Sequence, residues 1–179
     1  MRISSWIMVG AAGVVCGLYE TSFAGSAPWP WMFVRLILPV AVMLLLLNRQ
    51  SVAYVFLALS GITVDLISAT NSDFAILRFM LVILIIDTLS ELVTTNRSLY
   101  AAMILIAAAR LINYFLLYLI YYLGGLLSIS GLTYESFFQM IYALAFDLII
   151  TALLFIGFTL FTRRFLIPIP PVINRYDTT

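Results

Sequence analysis

The chemistry open to this chain is that of carboxylates and guanidinium groups. Its 179 residues include eight acids and nine bases, and every base is an arginine. With no histidine and a single cysteine, Cys16, neither a Ser-His nucleophile nor a Cys/His zinc site can be assembled. Cys16 lies in an apolar stretch and reads as a small packing residue. The ions that stand inside long apolar runs are Arg35, Asp65, Arg78, Asp87, Arg110 and Asp147. There an ionised side chain is costly unless it meets an opposite charge or faces a polar interior. Three chemistries fit such residues: ion pairs that lock a helical bundle, a proton or ion relay, and aspartyl catalysis. The balance of signs favours locking, because a relay calls for unpaired carboxylates in a polar cavity. An Asp65/Asp147 dyad is disfavoured, since the two differ in depth by about one helical turn and an adjacent arginine would keep each ionised instead of sharing a proton. The chain is expected not to be an enzyme and to carry no metal or cofactor.

The elements that must position these charges follow from composition. The chain is 64% hydrophobic and 9% charged, with a mean hydropathy of +1.14, which is too apolar for a water-soluble domain. The apolar residues come in long runs and not on one helical face, so lipid is expected all round. A net charge of +1 without a basic patch argues against nucleic-acid binding. About 20 residues are needed to cross the hydrocarbon core. On that measure the polar and helix-breaking clusters divide the chain into candidate helices at 3–23, 31–47, 52–69, 74–93, 99–123 and 137–161. The expected fold is an all-α polytopic bundle of about six transmembrane helices.

Most connections are tight, which leaves no room for an extramembrane catalytic domain and makes sequential helices antiparallel neighbours. Residues 1–167 form one transmembrane domain in this reading, and 168–179, with Pro168, Pro170 and Pro171, a short cytoplasmic tail. A cleaved signal peptide is the competing reading of the N-terminal run, with Ala24-Gly25-Ser26-Ala27 as the small residues at the cleavage site. The run is nearly a full span and contains Glu20, so a first helix is preferred. No internal repeat or low-complexity segment is present.

Arg2, Arg49, Arg97, Arg163, Arg164 and Arg175 all fall on the side shared by the termini and the even-numbered turns. That side is expected to be cytoplasmic, with both termini inside. The opposite turns carry Glu20, Asp73 and Glu135, and there Trp29 and Trp31 form an interfacial belt with Tyr118, Tyr121 and Tyr122. At 1.5 Å per residue, Asp65 lies about 20 Å from the arginine-rich face, level with Arg35 and Arg78, which defines an outer cluster. Arg110 and Asp147 fall near the midplane and are expected to pair, with Asn113 one turn along from Arg110. Asp87 sits nearer the cytoplasmic face with Glu91 at i+4, and is a candidate to share Arg110. Pro39 is expected to interrupt and kink the second helix.

Small residues mark close helix approach. Gly10, Gly13 and Gly17, with Ala11 and Ala12, give the first helix a face suited either to a partner helix or to packing within the bundle, and Gly61 stands one turn before Asp65.

The order of these features resembles the bacterial rod shape-determining protein MreD family, small polytopic subunits of the cell-wall elongation machinery. The resemblance covers most of the chain. It rests on size, on cytoplasmic termini, on a third helix ending in Gly61-Ile62-Thr63-Val64-Asp65-Leu66-Ile67-Ser68, and on Thr95-Asn96-Arg97-Ser98-Leu99-Tyr100 after the fourth. Where that family typically continues into a leucine-glycine turn, this chain has Ala69-Thr70-Asn71-Ser72-Asp73. The resemblance implies a non-enzymatic scaffold of the bacterial inner membrane. Its implied partners are an MreC-like bitopic protein and the polymerase and transpeptidase of peptidoglycan elongation. The family is also similar in fold to the substrate-binding subunits of energy-coupling-factor vitamin importers. That alternative implies a polar pocket lined by Asp65, Arg35, Arg78, Tyr118 and Tyr121. A proton-coupled carrier ranks third, because broken helices and duplicated halves are missing from the sequence.

Overall fold

A computed structural model of the chain describes residues 3–23, 26–47, 50–68, 74–93, 99–123 and 134–165. All the described elements are helical. They are α1 (Ile3–Leu18), continued by a π-helical turn (Tyr19–Phe23), a 3-10 turn (Trp31–Phe33), α2 (Ile37–Leu46), α3 (Gln50–Ile67), α4 (Ala75–Val93), α5 (Leu99–Leu123) and α6 (Tyr134–Phe165). Among the described residues four stretches are long and apolar enough to cross a membrane: Trp6–Phe23, Gln50–Ile67, Leu99–Ile120 and Phe138–Leu160. α4 is 19 residues long but contains Arg78, Asp87 and Glu91, and α2 has only ten residues.

The shortest helix is the best covered. α2 packs against α3, α4, α5 and α6, and eight of its ten residues, from Ile37 to Leu46, are buried. Its core neighbours include Phe56 and Leu57 of α3, Val82, Ile83 and Ile86 of α4, and Leu105 and Ile106 of α5. The segment expected as one helix over 31–47 is therefore split, and regular α-helix begins only at Ile37. The expected kink at Pro39 gives way to a simpler arrangement. Leu36 is the N-cap and Val40 N–H makes the first intrahelical bond, to Leu36 O at 3.1 Å. Pro39 thus stands in the first turn, where an N–H has no intrahelical acceptor and its loss costs nothing. The residues before α2 instead lie along α6: Phe33 stacks on Tyr142 at 5.5 Å, and Trp29 meets the same ring edge-on at 6.3 Å.

α1 departs from the expected packing of sequential neighbours. Its main partner is α3 and it barely touches α2. The reason is steric. A Cβ on Gly13 would lie 2.8 Å from Phe56 O, and one on Gly17 2.8 Å from Thr63 Cβ. Gly10 faces Leu59 Cδ1 in the same way, at 3.1 Å. The contacts advance along both helices together, so α1 and α3 run parallel, and Ser60 Oγ donates across the seam to Gly13 O at 3.0 Å. The close-approach face of α1 is filled by α3 and is not left for a partner helix.

The turns carrying Arg49, Asp73 and Arg97, the segment 95–98 of the resemblance, the arginines at 2 and 175, and the tail at 168–179 lie outside the described residues. So do the side chains of Glu91, Tyr121, Glu135, Arg163 and Arg164.

Candidate functional site

At the end of the bundle where α1 and α3 finish and α2 and α4 begin, both starting helices are capped by an acid from the helix before. A helix N-terminus has unsatisfied N–H groups and a partial positive charge, both of which a carboxylate answers. Asp65, near the end of α3, accepts from Ala75 N–H at Oδ1 (2.7 Å) and from Ile76 N–H at Oδ2 (3.0 Å). The residue in the N-cap position, Phe74, has no side-chain acceptor and a φ of +44°. Its carbonyl receives the first helical bond, from Arg78 N–H. The cap that Ser or Asp would give locally is thus supplied from across the hairpin. Gly61 makes this possible, because a Cβ there would lie 2.6 Å from Ile76 Cα. Glu20, in the π-turn after α1, accepts from Ile37 N–H at 2.9 Å and caps α2 in the same manner.

Asp65 therefore spends both oxygens on backbone, and the expected Asp65/Arg35/Arg78 cluster is built differently. Arg35 and Arg78 face a polar cavity of about 230 Å³. Its walls are Glu20 and Thr21 from the end of α1, Arg35 and Leu38, Val64 and Ser68 of α3, Arg78 and Phe79 of α4, and Arg110 and Asn113 of α5. Arg35 is exposed at the margin, whereas Arg78 and Arg110 are 6% and 2% exposed. Neither Asp65 nor Tyr118 is among the described lining residues.

Arg110 also reaches across to α6, where its Nε donates to Asp147 Oδ2 with both side chains buried. The Tyr114 ring, one turn along α5, lies 5.8 Å from the Arg110 guanidinium. Arg110 Nη2, Asn113 Oδ1, Asp147 Oδ1 and Thr151 Oγ1 are buried without a hydrogen-bond partner. At the opposite end, Asp87 accepts from Gln50 Nε2 at 3.1 Å and Tyr54 OH at 3.0 Å, both on α3. It does not share Arg110. The axial rise contributes: Asp87 is six residues from the end of α4 and Arg110 eleven from the start of α5, about 7.5 Å apart in depth.

Sequence reasoning brought together Arg110 and Asp147, and Gly61 with Asp65. It assigned Glu20 to an outer turn, missing its role as cap and cavity wall. The signal was an acid inside an otherwise apolar run. Thr151, Gln50 and Tyr54 gave no such signal, since hydroxyl and amide groups are common on helix faces. Among the described residues no group of His, Cys, Asp and Glu is placed to hold a metal ion.

Fold and site together define an all-α, multi-pass membrane protein with a buried ion pair and an arginine-walled cavity at one end. Compared with protein-family models the chain matches none, and searches of curated proteins and of solved structures found no match.

Proposed function

We propose that this chain is a non-enzymatic scaffold of the bacterial rod-shape machinery. In this reading it has six spans, lies in the inner membrane with both termini cytoplasmic, and organises an MreC-like bitopic protein with the peptidoglycan polymerase and transpeptidase. The observation that supports it is the use of the stretch on which the family resemblance rests. Gly61 and Asp65 are committed to helix contact and capping, and both oxygens of the acid accept backbone N–H groups. A carboxylate so occupied serves architecture, neither proton transfer nor ligand capture. The partner-facing surface then lies on the lipid-exposed sides of the helices, because the glycine face of α1 is taken up by α3. Purification in mild detergent followed by mass spectrometry tests the reading. Enrichment of a single-span protein with a periplasmic coiled coil is expected, and recovery with an ATP-hydrolysing energising module instead would overturn it.

One observation favours a second reading, a substrate-binding subunit of an energy-coupling-factor-type vitamin importer. The cavity is polar, lies at one end of the bundle and has an exposed arginine at its margin. A vitamin retained through purification would select this reading.

A further inference from the structure

The cavity has a chemical character that the scaffold reading leaves unused. Among the described residues of its wall, three guanidinium groups, from α4, α5 and the segment before α2, stand against one carboxylate, Glu20, one of whose oxygens is engaged by Ile37 N–H. Asp147 accepts from Arg110 Nε, and Arg110 Nη2 is a buried donor without a partner. Asn113, 5% exposed and in the same wall, has an unpartnered amide oxygen. Buried polar atoms of this kind are costly unless something in the cavity answers them. A planar fork of N–H donors is suited to an oxyanion, and donors arriving from three elements suit a tetrahedral group better than a planar one.

We propose that this cavity binds a phosphate group, held by Arg110 from within and by Arg35 at the margin, with Arg78 adding positive charge to the wall. Asn113 meets a hydroxyl or protonated oxygen of the same ligand. Phosphate can arrive as a free small molecule or on an anionic lipid whose headgroup enters between helix ends, and the recognition chemistry is shared. The site stands whether the protein is a scaffold or an importer subunit, because it depends on the wall and not on any partner.

The test uses the full chain in detergent and in nanodiscs. Inorganic phosphate is titrated at constant ionic strength against chloride while the thermal unfolding midpoint is followed. In parallel, native mass spectrometry reads lipids retained from nanodiscs of phosphatidylcholine with or without phosphatidylglycerol. A saturable rise in the midpoint with phosphate identifies a free ligand, and selective retention of phosphatidylglycerol a lipid headgroup; either supports the site. Arg35→Gln, at an exposed position, should weaken the response about tenfold, the loss of one charge-assisted contact. Arg110→Lys keeps the charge but not the fork and should weaken it further. Equal effects of phosphate and chloride with no preference for the anionic lipid, or an unchanged response in Arg35→Gln, would show a water-filled cavity and overturn the proposal. Loss of the phosphate site would leave partner recovery untouched, so the two readings fail separately.

Discussion

Gly61 and Ile76 touch backbone to backbone, with Ile76 Cα 2.6 Å from where a Cβ on Gly61 would stand. The same residue's N–H donates to Asp65, so one turn of α3 both admits the start of α4 and caps it. Gly61→Ala should therefore lower stability by about 1–3 kcal/mol, since backbone cannot give way as a side chain can. Gly10→Ala, which meets only the flexible end of Leu59, should cost clearly less. Thermal unfolding of the two variants in the same detergent is the measurement, and equal losses would contradict the contact.

Asp65→Asn removes the charge from a two-pronged cap and replaces one acceptor by a donor that faces an N–H. The expected loss is about 1–2 kcal/mol, in the range of a lost helix cap. In the scaffold reading partner recovery falls in step with stability. A variant as stable as the parent that keeps its partner but loses a bound small molecule would argue for the importer reading.

Arg110 and Asp147 should show asymmetry. Either Arg110→Leu or Asp147→Leu strands a buried ion, at about 3–5 kcal/mol, while the double change removes both and restores part of the folded yield. A double-mutant cycle over the three variants reads the coupling. Additive losses would mean that the two do not act as a pair.

The other end of the α3–α4 hairpin depends on Asp87. Tyr54→Phe removes one of its two donors from α3 and should cost about 1 kcal/mol. In an Asp87→Asn background the same change should have a smaller effect. Thermal unfolding of the four proteins reports this.

Topology is tested by single-cysteine labelling after replacement of Cys16. An impermeant reagent added from outside should label a cysteine at Gly131 and spare those at Asn48 and Asn96. Labelling at Asn48 with protection of Gly131 would invert the orientation.

Much of the architecture was legible because apolar runs and their interruptions bound helices directly. The starts of α4 and α5 at Ala75 and Leu99 fall within a residue of the interruptions at 74 and 99. Depth was legible too: counting residues puts Arg110 level with Asp147, and the structure brings them together. What counting does not supply is the direction in which a side chain leaves its helix. Asp65 lies level with Arg35 and Arg78, yet its oxygens turn to the N–H groups of α4, which carry no letter in the sequence. Asp87 likewise turns to Gln50 and Tyr54 of α3. Pro39 misled for a related reason, since its effect depends on whether it stands in the first turn or the middle of a helix, and α2 starts six residues later than the apolar run.

The trans caps also impose an order in time. Glu20 precedes Ile37, and Gln50, Tyr54 and Asp65 precede the groups of α4 that they satisfy. A chain made from its N-terminus therefore presents α4, with three charges in 19 residues, to a hairpin partner already waiting. The charged helix need never enter lipid alone, where each ion would cost several kcal/mol. Arg110 has the opposite schedule, since its partner Asp147 is synthesised 37 residues later. A nascent chain halted between them carries a cation in its fifth helix whose carboxylate partner does not yet exist.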